Sequence, residues 1–62
     1  MTRRETEVLA YMAIGLSDRQ IARALDLSPY TVKNHAKSVY RKLRAANRAH
    51  AVAIGLRAGV IA

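Results

Sequence analysis

Four helix-start signals divide this chain into short segments, and they constrain its fold more than any other feature. In a capping box, a hydroxyl residue and a glutamate or glutamine three positions later each accept a bond from an otherwise unpaired backbone N–H group. Serine before proline and a lone asparagine also start helices. The signals are the boxes Thr2–Glu5 and Ser17–Gln20, the pair Ser28-Pro29, and Asn47. Because strand-type alternation is absent, the sequence predicts an all-α, four-helix bundle.

The 62 residues are enough for one domain with a small core. A short helix, a tight turn and a longer basic helix follow one another, which is the plan of a helix-turn-helix. We therefore predict one domain over 1–62, with a helix-turn-helix over about 16–36 and a recognition helix over about 29–44. A fourth helix is predicted over about 48–58.

Charge is distributed unevenly along the chain. Residues 1–26 carry four basic and four acidic residues, whereas residues 27–62 carry seven basic residues and no acid, so the formal charge of +7 lies in the second half. Such asymmetry indicates a polyanionic partner, nucleic acid first and an anionic membrane surface second. No apolar run approaches the roughly 20 residues of a membrane span. The compact pattern and the lack of aromatic anchors also disfavour a membrane-surface helix.

Catalytic and metal-binding chemistry find no support in the sequence. The four carboxylates occupy capping or surface positions, and none forms a paired arrangement. The two histidines, His35 and His50, do not share a helix face, and His35 fits better as a half-buried structural residue. Cysteine is absent. We therefore predict no enzyme, no metal site and no cofactor.

The faces of the two basic-half helices differ. On the predicted recognition helix, one sector about 100° wide is apolar, a basic stripe lies beside it, and the remaining face is polar. These three sets are Val32, Ala36, Val39, Tyr40 and Leu43; Lys33, Lys37, Arg41 and Arg44; and Tyr30, Asn34 and Ser38. The fourth helix is apolar on two faces. We predict that Ala49, Val52, Ala53 and Leu56 face the core, and that Ala51, Ile54, Gly55 and Ala58 face outward, toward a partner.

Four stretches of the chain follow one another in an order typical of one family. They are Thr2-Arg3-Arg4-Glu5-Thr6-Glu7-Val8-Leu9, Gly15-Leu16-Ser17-Asp18-Arg19-Gln20-Ile21-Ala22, Leu27-Ser28-Pro29-Tyr30-Thr31-Val32-Lys33-Asn34-His35 and Asn47-Arg48-Ala49-His50-Ala51-Val52. Together they resemble the LuxR-type (NarL/FixJ, GerE-like) DNA-binding domains of bacterial transcription regulators. Each stretch alone is a weak signal, but four in register cover nearly the whole chain. Asp26 and Arg44 depart from the pattern, since glycine is commoner at both positions.

The resemblance implies a sequence-specific regulator that binds duplex DNA as a dimer on a partly palindromic site. By position, it implies base contacts from Lys33, Asn34 and Lys37, and DNA-backbone contacts from Arg19, Ser28, Thr31, Ser38 and Arg41. A C-terminal dimerisation helix follows a three-helix core, and its interface is predicted at Ala51, Ile54, Gly55 and Ala58. In one form of this prediction, two copies of the domain dimerise only when they are bound to DNA. RNA polymerase is a further predicted partner.

Two alternative functions remain open at this stage. A promoter-binding module similar to region four of a sigma factor shares the Thr-Val-Lys start of the recognition helix, although Asn34-His35 and Asn47-Arg48 favour the LuxR type. A protein-interaction module that kept the fold is the other alternative, and the basic second half disfavours it. For a DNA-binding regulator we predict a cytoplasmic, nucleoid-associated location.

Overall fold

The computed structural model describes all 62 residues and contains four α-helices and no strands. They are α1 (Arg3–Ala13), α2 (Asp18–Leu25), α3 (Pro29–Leu43) and α4 (Arg48–Arg57). The predicted all-α, four-helix class is confirmed. None of the helices has the length and hydropathy of a membrane span.

Each of the four predicted start signals caps a helix. Thr2 and Ser17 close full capping boxes, in which the N-cap side chain accepts from the N3 backbone and the N3 side chain accepts from the N-cap backbone. The side chains of Ser28 and Asn47 each accept a bond from the backbone N–H three residues later. Loss of such a cap costs roughly 1 kcal/mol, so these residues set where the helices begin.

Two helices end on residues that are not glycine although the backbone is left-handed. Asp26 ends α2 at φ 57° and Arg44 ends α3 at φ 55°. An L-residue in this region is strained by its Cβ atom, which glycine lacks. Gly59, beyond α4, has φ 73° and meets the same demand without a Cβ. The turns between helices are therefore tight, and two of them carry backbone strain.

The core is formed by one face of each helix. Buried side chains of α1, α2 and α3 meet in its centre; those of α1 and α2 recur at helical spacing, and those of α3 belong to the apolar sector predicted for the recognition helix. The core consists of Val8, Leu9, Met12, Ile21, Ala22, Val32, Ala36, Val39, Ala51 and Ile61. Tyr40 and Leu43 are partly buried against it. This packing fixes the rotation of α3 about its axis and leaves its basic side in solvent.

The predicted orientation of α4 is wrong. Ala51 and Gly55 are buried, whereas Ala49, Ala53 and Leu56 are exposed, which is the reverse of the prediction. A Cβ atom at Gly55 would lie 2.8 Å from Leu9 Cδ2, so the helix approaches α1 on its small-residue side. Ala51 and Gly55 are therefore removed from the predicted dimer interface. Ile54 is half-buried and Ala58 is exposed, while Val52, which was predicted to face the core, packs against it.

The chain beyond α4 returns to the core. The backbone N–H groups of Val60 and Ile61 both donate to the carbonyl of Gly55, which closes the C-terminal turn. Ile61 is buried and would contact a Cβ at Gly55 within 3.2 Å. The Ile61 side chain therefore fills the space that a larger residue at position 55 would occupy.

Candidate nucleic-acid interface

The outer face of α3 presents cations and an amide to solvent. Lys33, Asn34, Lys37 and Arg41 are all exposed, and none of them forms a hydrogen bond or ion pair within the domain. At about 100° per residue they occupy a single sector of the helix. The predicted base-contacting residues therefore share one accessible surface, which we call the α3 outer face.

The acids of the domain are placed so that they leave this face uncompensated. Glu5 pairs with Lys42, Asp18 with Arg48, and Glu7 lies 3.9 Å from Arg4. Two of the seven cations of the second half are thereby neutralised, and both lie off the α3 outer face. The remaining five are Lys33, Lys37, Arg41, Arg44 and Arg57. Because none of the cations on the α3 outer face is paired with a carboxylate, its field remains positive and attracts an anionic partner.

Glu5 anchors α3 to the start of α1. It is only 4% exposed, and its carboxylate accepts bonds from Lys42 Nζ at 2.9 Å, from the Ser38 hydroxyl and from the Thr2 backbone. The hydrogen bond from Lys42, followed by those from Ser38 and Thr2, lowers the pKa of Glu5 from 4.5 to about 2, against the opposing effect of burial. The carboxylate therefore stays charged and bonded, which fixes the C-terminal half of α3 on α1.

Arg48 forms the corresponding anchor for α4. Its guanidinium donates to the carbonyl of Leu16 at 3.0 Å and pairs with the Asp18 carboxylate. Desolvation disfavours its charged form, but hydrogen bonds with Tyr40 and Asp18 outweigh it, so the pKa of Arg48 is raised above its ordinary value. The first turns of α2 and α4 are thus joined through one side chain.

The sequence of the chain matches that of a known family over most of its length. Residues 1–54 match the family described as bacterial regulatory proteins, luxR family. The chain belongs to this family. It is 44% identical over 52 residues to the transcriptional regulator MalT of Vibrio cholerae, which covers 84% of this chain and 6% of MalT. It is 42% identical over 59 residues to DegU of Brevibacillus brevis, covering 95% of this chain and 25% of DegU.

The luxR-family membership makes this a DNA-binding, helix-turn-helix domain of transcription regulation, and not an enzyme. The regulator SgaR of Hyphomicrobium methylovorum is 48% identical over 54 residues, covering 87% of this chain and 26% of that protein. The chain thus spans well under a third of the length of these curated relatives. It corresponds to a part of each of them.

The residues predicted to contact the DNA backbone differ in their exposure and in their own hydrogen bonds. Arg19, on α2, is exposed, as are Arg41 and Ser28. Ser28 Oγ accepts from the Thr31 backbone and shares a 2.9 Å hydrogen bond with the Thr31 hydroxyl. Whichever hydroxyl donates in that bond, the other keeps its proton free for an external acceptor. The start of α3 can therefore donate to a phosphate.

Ser38 is the exception, and its expected exposure is wrong. The residue is half-buried, and its hydroxyl donates to Glu5 Oε2 rather than pointing into solvent. Its predicted phosphate contact is therefore withdrawn. One signal could have found this role: Ser38 and Lys42 stand four residues apart and so share a side of α3, and a carboxylate on α1 can face both.

Tyr30 is not among the predicted base-contacting residues. Tyr30 follows Pro29 in the first turn of α3 and is 74% exposed. Together with Asp18, Pro29 and Lys33 it lines a shallow depression between the N-terminal ends of α2 and α3. The signal available in the sequence was its helical position, which falls within the sector of the α3 outer face.

Proposed function

We propose that this domain binds duplex DNA sequence-specifically by inserting α3 into the major groove. The observation that carries the proposal is the α3 outer face, on which three side chains with base-reading chemistry are exposed and unpaired. They are Lys33, Asn34 and Lys37. Lysine donates to the guanine O6 and N7 acceptors, and asparagine pairs in bidentate fashion with adenine N6 and N7. The major groove is about 12 Å wide and admits one helix.

Four other residues are proposed to hold the DNA backbone. Arg41 lies on the outer face of α3, Arg19 lies on α2, and Ser28 and Thr31 supply a hydroxyl proton at the start of α3. Phosphate contacts of this kind fix the register of the helix in the groove and carry no sequence information. They also make the affinity depend strongly on salt.

The experiment that tests base reading starts with selection of bound sequences from a random duplex pool. On the selected site, Asn34→Ala is expected to weaken binding about 5- to 150-fold, the scale of one bidentate base contact. Its affinity for unrelated duplexes is expected to change much less. If Asn34→Ala selects the same sequence with the same affinity as the parent domain, α3 does not read bases through this residue.

Arg41→Ala tests the backbone role, and Arg57→Ala is its charge-matched control. Both variants lose one exposed cation, but Arg57 lies at the end of α4, off the α3 outer face. We expect Arg41→Ala to weaken all duplexes alike and to reduce the slope of log affinity against log salt by about one. Arg57→Ala is expected to leave the slope nearly unchanged. Equal slopes for the two variants contradict a phosphate contact by Arg41.

We further propose that two copies pair through the exposed side of α4 on a partly palindromic site. The exposed apolar residues there are Ala49, Ala53 and Leu56, with Leu56 49% exposed. A two-fold interface needs only one self-complementary patch, and alanines allow two helices to approach closely. The two copies of α3 would then enter major grooves about 34 Å apart. Because this patch is small, DNA is expected to bring the copies together.

Leu56→Asp tests the pairing, and Ile14→Asp is its control, because Ile14 is an exposed apolar residue at the C-cap of α1. We expect Leu56→Asp to remove cooperative occupancy of the full site while binding to an isolated half-site persists. The control is expected to bind the full site as the parent domain does. Unchanged cooperativity in Leu56→Asp shows that α4 is not the interface.

The predicted contact with RNA polymerase and the location at the cytoplasmic nucleoid stay predictions that go with this function.

A further inference from the structure

Tyr30 differs from the other two tyrosines of the domain. Tyr11 and Tyr40 are half-buried and pack against the core, whereas Tyr30 is 74% exposed and has the greatest exposure of any large apolar side chain in the domain. Its hydroxyl makes no hydrogen bond within the domain. Neither core packing nor internal bonding therefore accounts for an aromatic ring at this position.

The ring stands within the sector that faces DNA in the proposed function. Around the α3 axis, Tyr30 falls between Lys37 and Arg41, and it lies one turn before Lys33 along the helix. The N-terminal residues of a recognition helix are those that contact base edges. Tyr30 also belongs to a first turn that is held by the Ser28 cap and by Pro29 at the first helical position. The ring is therefore mounted on a rigid support.

The surroundings of the ring suit an apolar group better than a phosphate. The depression beside Tyr30 is lined by one carboxylate and one ammonium group, Asp18 and Lys33, together with the Pro29 ring. Most of the surface that these residues expose in the depression is carbon, with which a phosphate oxygen forms no hydrogen bond. Asp18 is held in place by its ion pair with Arg48. What remains is the carbon surface of two rings.

We propose that Tyr30 is a specificity-determining residue that recognises a thymine through its 5-methyl group. The inference rests on the proposed insertion of α3 into the major groove, where that methyl group is exposed. Apolar side chains, phenylalanine among them, discriminate thymine by packing on this methyl. An aromatic ring has only two side-chain torsions to fix, so the contact costs little conformational entropy. Tyr30 thus adds an apolar reading element to the lysines and asparagine of the α3 outer face.

The test replaces each thymine of the selected duplex, one at a time, by deoxyuridine, which lacks only the methyl group. For the parent domain we expect a loss of about fourfold at one position per half-site, the value of one buried methyl group. Tyr30→Ala is expected to bind the thymine duplex about tenfold more weakly and to lose the difference between thymine and deoxyuridine there. Tyr30→Phe is expected to keep it, because the ring makes the contact.

Two controls distinguish failure of the Tyr30 inference from failure of the proposed function of α3. Ile14→Ala removes an exposed apolar side chain at the C-cap of α1 and is expected to keep the parent response to deoxyuridine. The Tyr30 assignment is overturned if no thymine position responds, or if Tyr30→Ala weakens every duplex equally, as a backbone contact does. If Asn34→Ala alters sequence preference in the same assay while Tyr30→Ala does not, only the Tyr30 inference fails. If neither variant alters it, the proposed function of α3 fails as well.

Discussion

Helices α3 and α4 both lie in the acid-free half of the chain, and each is tied to the first half by one ion pair. Lys42 joins α3 to Glu5, and Arg48 joins α4 to Asp18. The two helices differ in the polarity of their opposite sides. In α3 an apolar side opposes a charged one, so only one rotation buries the apolar side chains. In α4 both sides are apolar, and hydrophobicity alone does not choose between them.

In α4, the side that is buried is determined by how closely the helix can approach its neighbours. The buried side carries Gly55, which has no side chain, together with Ala51, and Gly55 lies directly against Leu9 and Ile61. The larger Leu56 lies on the exposed side. Close packing of a small core requires a helix to approach its neighbours, and small residues permit a closer approach. Side-chain polarity therefore sets the orientation of α3, whereas the close approach at Gly55 sets that of α4.

Enlarging the buried side of α4 is the most direct test of its orientation. Gly55→Glu places a Cβ 2.8 Å from Leu9 Cδ2 and forces a carboxylate into the core. Overpacking and burial of an unpaired charge together cost more than about 4 kcal/mol, so we expect an unfolded domain. Ala53→Glu, two residues earlier on the exposed side, is expected to change stability by less than about 0.5 kcal/mol. Circular dichroism with urea titration measures both. A folded Gly55→Glu domain contradicts the observed orientation of α4.

The second prediction compares the two anchors by acidification. The pKa of Glu5 is depressed in the folded domain to about 2 from 4.5, so its stabilising effect is present above about pH 4.5. That effect is lost as pH falls toward 2 and amounts to about 3 kcal/mol. Urea unfolding between pH 7 and pH 2 measures it.

Variants assign this loss to one anchor. We expect Glu5→Gln to be less stable at pH 7 and to have a flatter stability profile between pH 5 and pH 2. The side chain of Asp18 is 28% exposed, against 6% for that of Glu5. Asp18→Asn is therefore expected to cost only about 1 kcal/mol and to retain most of the acid-dependent slope. An unchanged slope in Glu5→Gln excludes Glu5 as the origin of the loss.

The smallest effect concerns how the two helices end. Arg44 ends α3 at φ 55°, whereas the left-handed position after α4 is occupied by Gly59. We expect Arg44→Gly to stabilise the domain by about 0.5–1 kcal/mol through relief of the Cβ strain. Gly59→Ala is expected to destabilise it by a similar amount. Thermal unfolding of the two variants beside the parent measures both. Equal signs for the two substitutions contradict the strain at Arg44.

The fold could be predicted from the sequence because its signals are local. Thr2, Ser17, Ser28 and Asn47 cap the helices that were predicted from them, and the apolar spacing of α1, α2 and α3 identified their buried sides. The α3 outer face followed from the same spacing. These features depend on neighbours within one or two helical turns, which a sequence displays directly.

The errors arose where the deciding contact joins distant residues. The rotation of α4 depends on Leu9 and Ile61, and neither lies within a turn of Gly55. Ser38 was placed on the polar outer surface because its bond to Glu5 spans 33 positions. Asp26, at a position where glycine is commoner in the family, does adopt the left-handed backbone in the structure. A single sequence shows which residues are apolar or polar, but it does not show which distant side chain each one meets.

The Arg48 anchor has a mechanical consequence for the proposed pairing. By joining the start of α4 to the start of α2, it restrains the helix that is proposed to pair relative to the helix-turn-helix. In a two-fold complex, the angular phase between the two copies of α3 would then be set by the protein. Inserting one base pair between half-sites rotates them by about 35°. In the proposed complex the DNA would have to absorb that rotation by twisting, so the affinity would depend on half-site spacing.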